Sequence, residues 1–421
     1  MIPYLILDVE TTILNEGDPF DPRNSLCYVG LRDPSGTYLY DIQYGLDPYA
    51  SKLEEIKRKI EQAEFLVGFN LKFDLHWIRR YLNDPRDSGL FAMVSTWDCQ
   101  LVEYLLSRQR LRMPSLDYVS ASYSLPSKLD CVRTDYWENG IDTKLVPRQL
   151  LEEYLTQDLY LTEQIFLKQQ QKVEAKSEAF KKLVWLHNED TKVLQEMEFN
   201  GMQVNLDLNE VKRKEVVQQM EETDKQLRQL SGVPENIPLN LSSTHQLSAI
   251  IYGGYINYPG KRNKERLLKN GEVKVTEVNC VLHHRCSGFA TPVPKSETEL
   301  TKGMSDLDLN EKQLEAIESN KAIPFRKYSV DEAHLRRAKI RTKKGREFVD
   351  LLLKRAYLDQ QLTTYLNKIP EMFSEHHWEN NLIHGQFNQC VARTGRLSSS
   401  KPNLQNLDSE LHYLFTSRYA D

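Results

Sequence analysis

The chain has 421 residues, 40% of them hydrophobic, and 55 Lys and Arg against 60 Asp and Glu give a formal charge of −5. That is enough apolar material for two or three domains with their own cores. The mean hydropathy of −0.57 and the lack of any apolar run near the roughly 20 residues of a membrane span argue against a helical membrane protein. The charge argues against a wholly basic nucleic-acid binder, although a local patch can hide in such an average.

The opening "MIPYLILDVETT" has no basic leader, and its apolar run meets two acids by Glu10. It reads as a first strand and not a signal peptide. "YLILDVET", "LCYVGLRD" and "TYLYDIQYG" are rich in β-branched and aromatic residues and are separated by the turn signals "DPRN" and "DPSG", so three successive strands are expected. "SKLEEIKRKIEQAE" has helical periodicity, "FLVGFN" reads as a short buried strand, and "LKFDLHWIRRYL" is helical again. Strands followed by alternating helices and strands predict a mixed α/β sheet over residues 1–170.

From about 175 the pattern turns to long helices. "SEAFKKLVWLHNEDTKVLQEMEFNG" stops at Gly201, "LNEVKRKEVVQQMEETDKQLRQL" follows, and "LNLSSTHQLSAIIYGG" offers Ser242 or Ser243 as a cap. Between about 253 and 328 the order breaks up into an extended insertion, in which Asn270-Gly271 signals a hairpin. Helical order resumes after "YSVDEAH", where Phe348, Leu351, Leu352, Leu358, Leu362, Tyr365 and Leu366 form an apolar stripe that predicts core packing.

The six cysteines are scattered and suggest no disulfide framework, which predicts a reducing cytoplasm. Their one dense cluster, Cys280-His283-His284-Cys286, matches no standard zinc spacing. An irregular loop is the preferred reading there, with zinc as the alternative.

Asp8 and Glu10 stand two apart on the first strand, so both side chains project from one face. Such a pair is costly to pack unless a cation sits between the carboxylates; the alternative is an exposed polar face on an edge strand. Asn70 precedes Phe73-Asp74 at a helix start, and Tyr154 and Asp158 share a helical face at i, i+4. Each signal alone is weak.

Their order is more specific. D-x-E on a strand, N-x-x-F-D at a helix start and Y-x-x-x-D on a later helix resemble the tyrosine branch of the DEDD superfamily of 3′–5′ exonucleases, on an RNase H-like fold. Phosphodiester hydrolysis by two metals needs several carboxylates, one ion activating water and the other stabilising the leaving oxygen, and Mg2+ takes few direct protein ligands. The resemblance implies that Asp8, Glu10, Asp74 and Asp158 bind Mg2+ or Mn2+, and that Tyr154 orients the attacking water. It places Leu14 against the terminal base, Asn70 beside the DNA, and Asp98 at a family position that we read as structural.

"LVWLHNEDTKVLQEMEFNGMQVN", "LNLSSTHQLSAIIYGG" and "HGQFNQCVARTGRLSSSKPNLQN", in that order, resemble family A DNA polymerases of the bacterial DNA polymerase I type and their phage relatives. The resemblance implies Arg393, Arg396, Asn403, Gln405 and Asn406 near the primer–template minor groove, where Arg and amide donors test pair geometry without reading sequence. Arg336, Arg337, Lys339, Arg341, Lys343 and Lys344 lie in "RRAKIRTKKGR", which holds seven basic residues in eleven and no acid. This run is either a solvated helix face or, as its resemblance to the polymerase thumb implies, a sequence-independent grip on duplex phosphates. "PGKRNKERLLK" offers a second basic strip.

The expected architecture is therefore an α/β RNase H-like exonuclease domain (1–170), a mainly helical thumb region with an insertion (171–380), and an incomplete palm (381–421). By the same resemblance the polymerisation motifs belong downstream of "PNLQN". A split polymerase, with palm and fingers on a second polypeptide, is the preferred expectation; a truncated product is the alternative. The partners implied are a single-stranded DNA 3′ end, a primer–template duplex and a processivity factor at the insertion, with no membrane and a bacterial host cytoplasm if the chain is phage-encoded. The rival functions are a non-catalytic DNA-binding clamp subunit and an exoribonuclease.

Overall fold

The computed structural model describes residues 2–42, 49–82, 91, 94–268, 273–292, 312, 315–316, 319, 321–322 and 327–418. They form two compact units, residues 1–209 with 368–421, and residues 210–367. The sequence reading drew its boundaries at 170 and 380. Among the described residues no helix is long and apolar enough to cross a membrane.

The first unit is built on a five-stranded sheet. Strands β1 (Leu5–Thr11), β2 (Leu26–Asp33) and β3 (Gly36–Asp41) are antiparallel neighbours, and helix α1 (Tyr49–Gln62) then leads to β4 (Phe65–Gly68), which runs parallel to β1. Helix α2 (Leu71–Tyr81) connects to β5 (Ser95–Asp98), parallel to β4, so the sheet order is 3-2-1-4-5. Helices α3 (Cys99–Leu106), α4 (Leu116–Ser122), α5 (Cys131–Asp135), α6 (Arg148–Glu174) and α7 (Glu178–Asn200) follow.

Strand periodicity sorts β1 between two cores. Leu5, Leu7 and Val9 pack with Ile56, Ile60, Leu71 and Leu75 of α1 and α2. Ile6 points the other way, into the core that α3 and α6 build with Leu101, Leu105, Leu151, Leu155 and Leu159. Asp8 and Glu10 have the parity of Ile6 and so face α6.

Gly30 on β2 lets α6 approach closely. A Cβ built there would meet Leu159 Cδ1 at 2.7 Å and Leu155 Cγ at 2.9 Å. Gly30→Val is therefore expected to cost about 1–3 kcal/mol through overpacking and to weaken whatever chemistry α6 carries. A thermal melt at the wild-type temperature would sink this account of the helix–sheet spacing.

The chain returns to this unit at its C-terminal end. β6 (Met202–Val204) is flanked by β11 (Leu382–Ile383) and β14 (Phe415–Thr416), and β12 (Gln386–Asn388) pairs with β13 (Ser398–Ser400). The turn between β12 and β13 docks on α3, where the Tyr104 hydroxyl donates to Ala392 O at 2.7 Å.

In the second unit α8 (Leu206–Ser231), which starts in the first, precedes α9 (Thr244–Tyr252), whose cap is Ser243. The stretch after α9 departs from its reading as broken order. β7 (Gly254–Leu267) and β8 (Val273–Cys286) form one antiparallel ladder of fourteen pairs, from Gly254 opposite Cys286 to Leu267 opposite Val273. Asn270-Gly271 lies outside the described residues. The Cys280–Cys286 cluster is a strand and not a loop, and among the described residues it forms no metal-holding group of three. Alternation puts Cys280, His284 and Cys286 on one face and His283 on the other, with His283 bonded to Asn257 at 2.8 Å.

Beyond β9 (Ala290–Thr291) come α10 (Glu332–Leu335), β10 (Lys339–Ile340), paired to β9, and α11 (Lys343–Gln361), capped by Thr342. Phe348, Val349 and Leu352 of α11 bury against Leu247, Ile250, Ile251 and Ile256. The remaining buried residues of the stripe are Leu358, Leu362, Tyr365 and Leu366.

Candidate active site

One cleft of the first unit, about 400 Å³ in volume, is lined by Asp8, Glu10, Asn70, Asp74, Lys128, Trp137, Tyr154 and Asp158. Strand β1 supplies the first two acids from one face, and the N-terminal turn of α2 supplies Asp74, held by Val9 N–H donating to Asp74 Oδ1 at 3.0 Å. One turn of α6 supplies Tyr154 and Asp158. The five residues assigned to chemistry from the sequence thus meet in one place.

Asn70 precedes α2 in the left-handed conformation (φ 62°), one that Asn tolerates better than most residues. Asp98 pins this corner. Its carboxylate accepts from Asn70 N and Leu71 N at 3.0 Å each and from Gln100 N at 2.9 Å, holding the starts of α2 and α3 together. Leu14 is 43% exposed on the short turn that also supplies the lining residues Ile13 and Glu16.

Lys128 was not legible as a site residue. It comes from the segment before α5, and its ammonium donates to Asp158 Oδ2 at 2.5 Å. It stands 4.5 Å from the Tyr154 ring centroid, and Trp137 meets that ring edge-on at 5.6 Å. Burial would lower the Lys128 pKa, but Asp158, Asp8 and Glu10 outweigh it and hold the ammonium charged.

The carboxylates are electrostatically overloaded. Burial, then Asp158, pushes Asp8 up to about 7. Burial, then Asp8, raises both Glu10 and Asp74 well above their usual range. Asp158 rises to about 6, burial outweighing the help it receives from Lys128. Burial and the nearby Glu10 raise the Tyr154 hydroxyl far above its ordinary value, so it is a hydrogen-bond donor and not a base at working pH.

A divalent cation fits this donor set chemically: four oxygen-only side chains, mutual repulsion, and Asp158 Oδ1 buried without a hydrogen-bond partner. Among the described residues, however, no three His, Cys, Asp or Glu side chains already close into a cage. Among the described residues lining the cleft, Lys128 is the one cation.

The other candidate residues lie outside this cleft. Arg336, Arg337, Lys339, Arg341, Lys343 and Lys344 are all exposed in the second unit, but along a turn, a two-residue strand and a helix start and not along one helix face. Arg336 is paired with Glu332 at 2.6 Å. In the first unit Arg393 and Arg396 are exposed on the β12–β13 turn, whose Gly395 takes a φ of 74°. Asn403 caps the turn Leu404–Asn406 by accepting from Gln405 N at 3.2 Å; Gln405 and Asn406 are exposed.

Residues 295–419 match the family model of DNA polymerase family A. The DNA polymerase I of Aquifex aeolicus is 31% identical over 166 residues, covering 39% of this chain and 23% of that protein. The DNA polymerase of Bacillus phage SP01 is 22% identical over 468 aligned positions, covering 99% of this chain and 45% of that protein. The POL domain of Pol1 from M. smegmatis, solved in complex with DNA primer-template and dNTP, shares the fold with a TM-score of 0.57 and 16% identity, over 96% of this chain and 52% of that one. The chain spans less than half the length of these curated relatives. The chain is thus similar to DNA polymerase family A over residues 295–419 and to a phage DNA polymerase along nearly its whole length.

Proposed function

We propose that this chain is a metal-dependent 3′–5′ exonuclease acting on DNA, joined to the part of a family A polymerase that holds primer–template. The observation that carries the reading is the meeting of Asp8, Glu10, Asp74, Tyr154 and Asp158 in one cleft from three separate elements. The 3-2-1-4-5 sheet supports an RNase H-like first domain. Mg2+ or Mn2+ held by the four acids would supply water activation and leaving-group stabilisation. Tyr154, neutral and fixed by Trp137, donates a hydrogen bond to orient the attacking water. Asn70 and the exposed Leu14 flank the cleft, where they can hold the 3′-terminal nucleotide. Arg393, Arg396, Asn403, Gln405 and Asn406, together with the basic run Arg336–Lys344, are assigned to the duplex; the polymerase relatives support DNA as the partner.

The test is digestion of a 5′-labelled single-stranded DNA oligonucleotide by the intact chain with Mg2+, with Mn2+ and with EDTA. A ladder shortening from the 3′ end in both metals, absent in EDTA and much weaker on RNA of the same sequence, is the expected result. Full-length substrate in both metals would defeat the exonuclease reading.

A further inference from the structure

The basic strip "PGKRNKERLLK" lies on the β7–β8 hairpin as far as Leu267, and the register sorts its charges between two faces. Because directly paired residues share a face and alternate residues do not, the ladder sorts its charges. Beyond Gly260 one face holds Arg262 opposite Val278, Lys264 opposite Thr276, and Arg266 opposite Lys274: four cations and no acid. The other face holds Lys261, Glu265 and Glu277, with Lys261 bound to Glu277 at 2.9 Å. The acids of this stretch of the ladder therefore lie on the face opposite the row.

All four cations are exposed, and among the described residues no ion pair holds any of them. Nearer the base, the same face carries the buried Ile256 and Cys280, so the face changes from core to charge at Gly260. Like charges placed directly opposite, as at Arg266 and Lys274, destabilise a hairpin. Lysines that merely protect a sheet edge would not need to collect on one face.

We propose that this face binds the sugar–phosphate backbone of duplex DNA without regard to sequence. It rests on the reading of the chain as a DNA-handling protein but not on the nuclease. Alternate residues of a strand are about 7 Å apart, so Arg262, Lys264 and Arg266 form a row of about 14 Å. Backbone phosphates recur every 3.4 Å or so along each strand of the duplex, so the row spans about four base-pair steps. Lys274 widens the row at its outer end, where a polyanion relieves its repulsion with Arg266. The face presents no fixed array of amides or carboxylates to base edges, which suits phosphate recognition.

The test is the salt dependence of binding to a fluorescent primer–template duplex, with the full chain in EDTA so that digestion cannot intervene. The comparison is wild type against Arg262→Gln/Lys264→Gln/Arg266→Gln/Lys274→Gln, both checked for folding by circular dichroism and melting. Each phosphate neutralised contributes about 0.9 to the slope of log K against log salt, so the quadruple variant should bind less tightly at low salt with a slope shallower by about 3–4. Lys261→Gln, on the opposite face, should change the slope by less than about 1. An unchanged slope in the folded quadruple variant overturns the proposal and leaves the nuclease reading intact. A wild type that does not bind the duplex overturns DNA handling by this face altogether, while digestion of single strands is read separately.

Discussion

Asp8→Asn/Glu10→Gln should abolish DNA digestion and at the same time raise the melting temperature of the metal-free protein. If the two carboxylates hold the ions, as proposed, their loss removes several kcal/mol of transition-state stabilisation, a fall in rate on the order of 10³ or more. The stability gain follows from the raised pKa values. Burial and the surrounding acids lift Asp8 to about 7 from an ordinary 3.8, and Glu10 well above 4.5. An acid whose folded pKa is raised favours the native state only while protonated, so stability falls as pH rises from about 4 through 7. The neutral isosteres remove that loss. Their advantage should be largest above pH 7, a few °C for a unit of this size, and should vanish near pH 4. Asp158 stays in place so that Lys128 keeps its partner. Melting with and without Mg2+ completes the argument, since the ion should stabilise wild type by mass action and the double variant much less. Equal melting temperatures at pH 8 in EDTA would contradict the account of an overloaded acid cluster.

The acid cluster of the cleft was legible because its main pairs rest on short-range periods. Two residues on a strand share a face, and i, i+4 on a helix share a face, so D-x-E and Y-x-x-x-D announce their own geometry. Lys128 announces nothing. It lies thirty residues before Asp158 in a segment without periodicity, and only the fold brings the two together. Gly30 is silent for a related reason: its role is the absence of a side chain opposite a helix more than a hundred residues later.

The hairpin was signalled at Asn270-Gly271, but the length of its strands was not legible because its outer half is solvated on both faces. With no core to face, it has no apolar alternation, and its regularity comes from backbone pairing that composition does not report. The same pairing spreads the cysteine–histidine cluster along a strand: His283 points away from the other three, and Cys280 lies six residues, about 20 Å, from Cys286. The basic run at Arg336–Arg346 crosses a turn, a strand and a helix start, so its charge density was readable and its shape was not.

Glu198→Ala is expected to cost about 3–5 kcal/mol, because it strands buried polar partners. Glu198 is 3% exposed near the end of α7. Its Oε1 accepts from Lys72 Nζ at 2.5 Å and from Phe387 N at 2.6 Å, and its Oε2 meets His76 Nε2 at 2.8 Å. Burial holds His76 below its ordinary pKa, so the ring is neutral; it takes the Gln195 amide on Nδ1 and donates from Nε2 to Glu198. The Glu198 main-chain oxygen accepts from His384, also neutral through burial. Lys72 and His76 ride on α2, the helix that carries Asp74, while Phe387 sits on β12, which leads into the Arg393–Arg396 turn. One carboxylate thus ties the acid-lined cleft to the segment assigned to the duplex. Alanine should lower the melting temperature by on the order of 10 °C at pH 7 and weaken both digestion and duplex binding. Burial would raise the Glu198 pKa, but His76 and Lys72 outweigh it and hold it below the ordinary 4.5. Its contribution is therefore full above that value and lost as pH falls through the lower folded pKa, so the gap between wild type and variant should close in acid. A gap that persists undiminished below that pKa would show that Glu198 acts through packing and not through its charge.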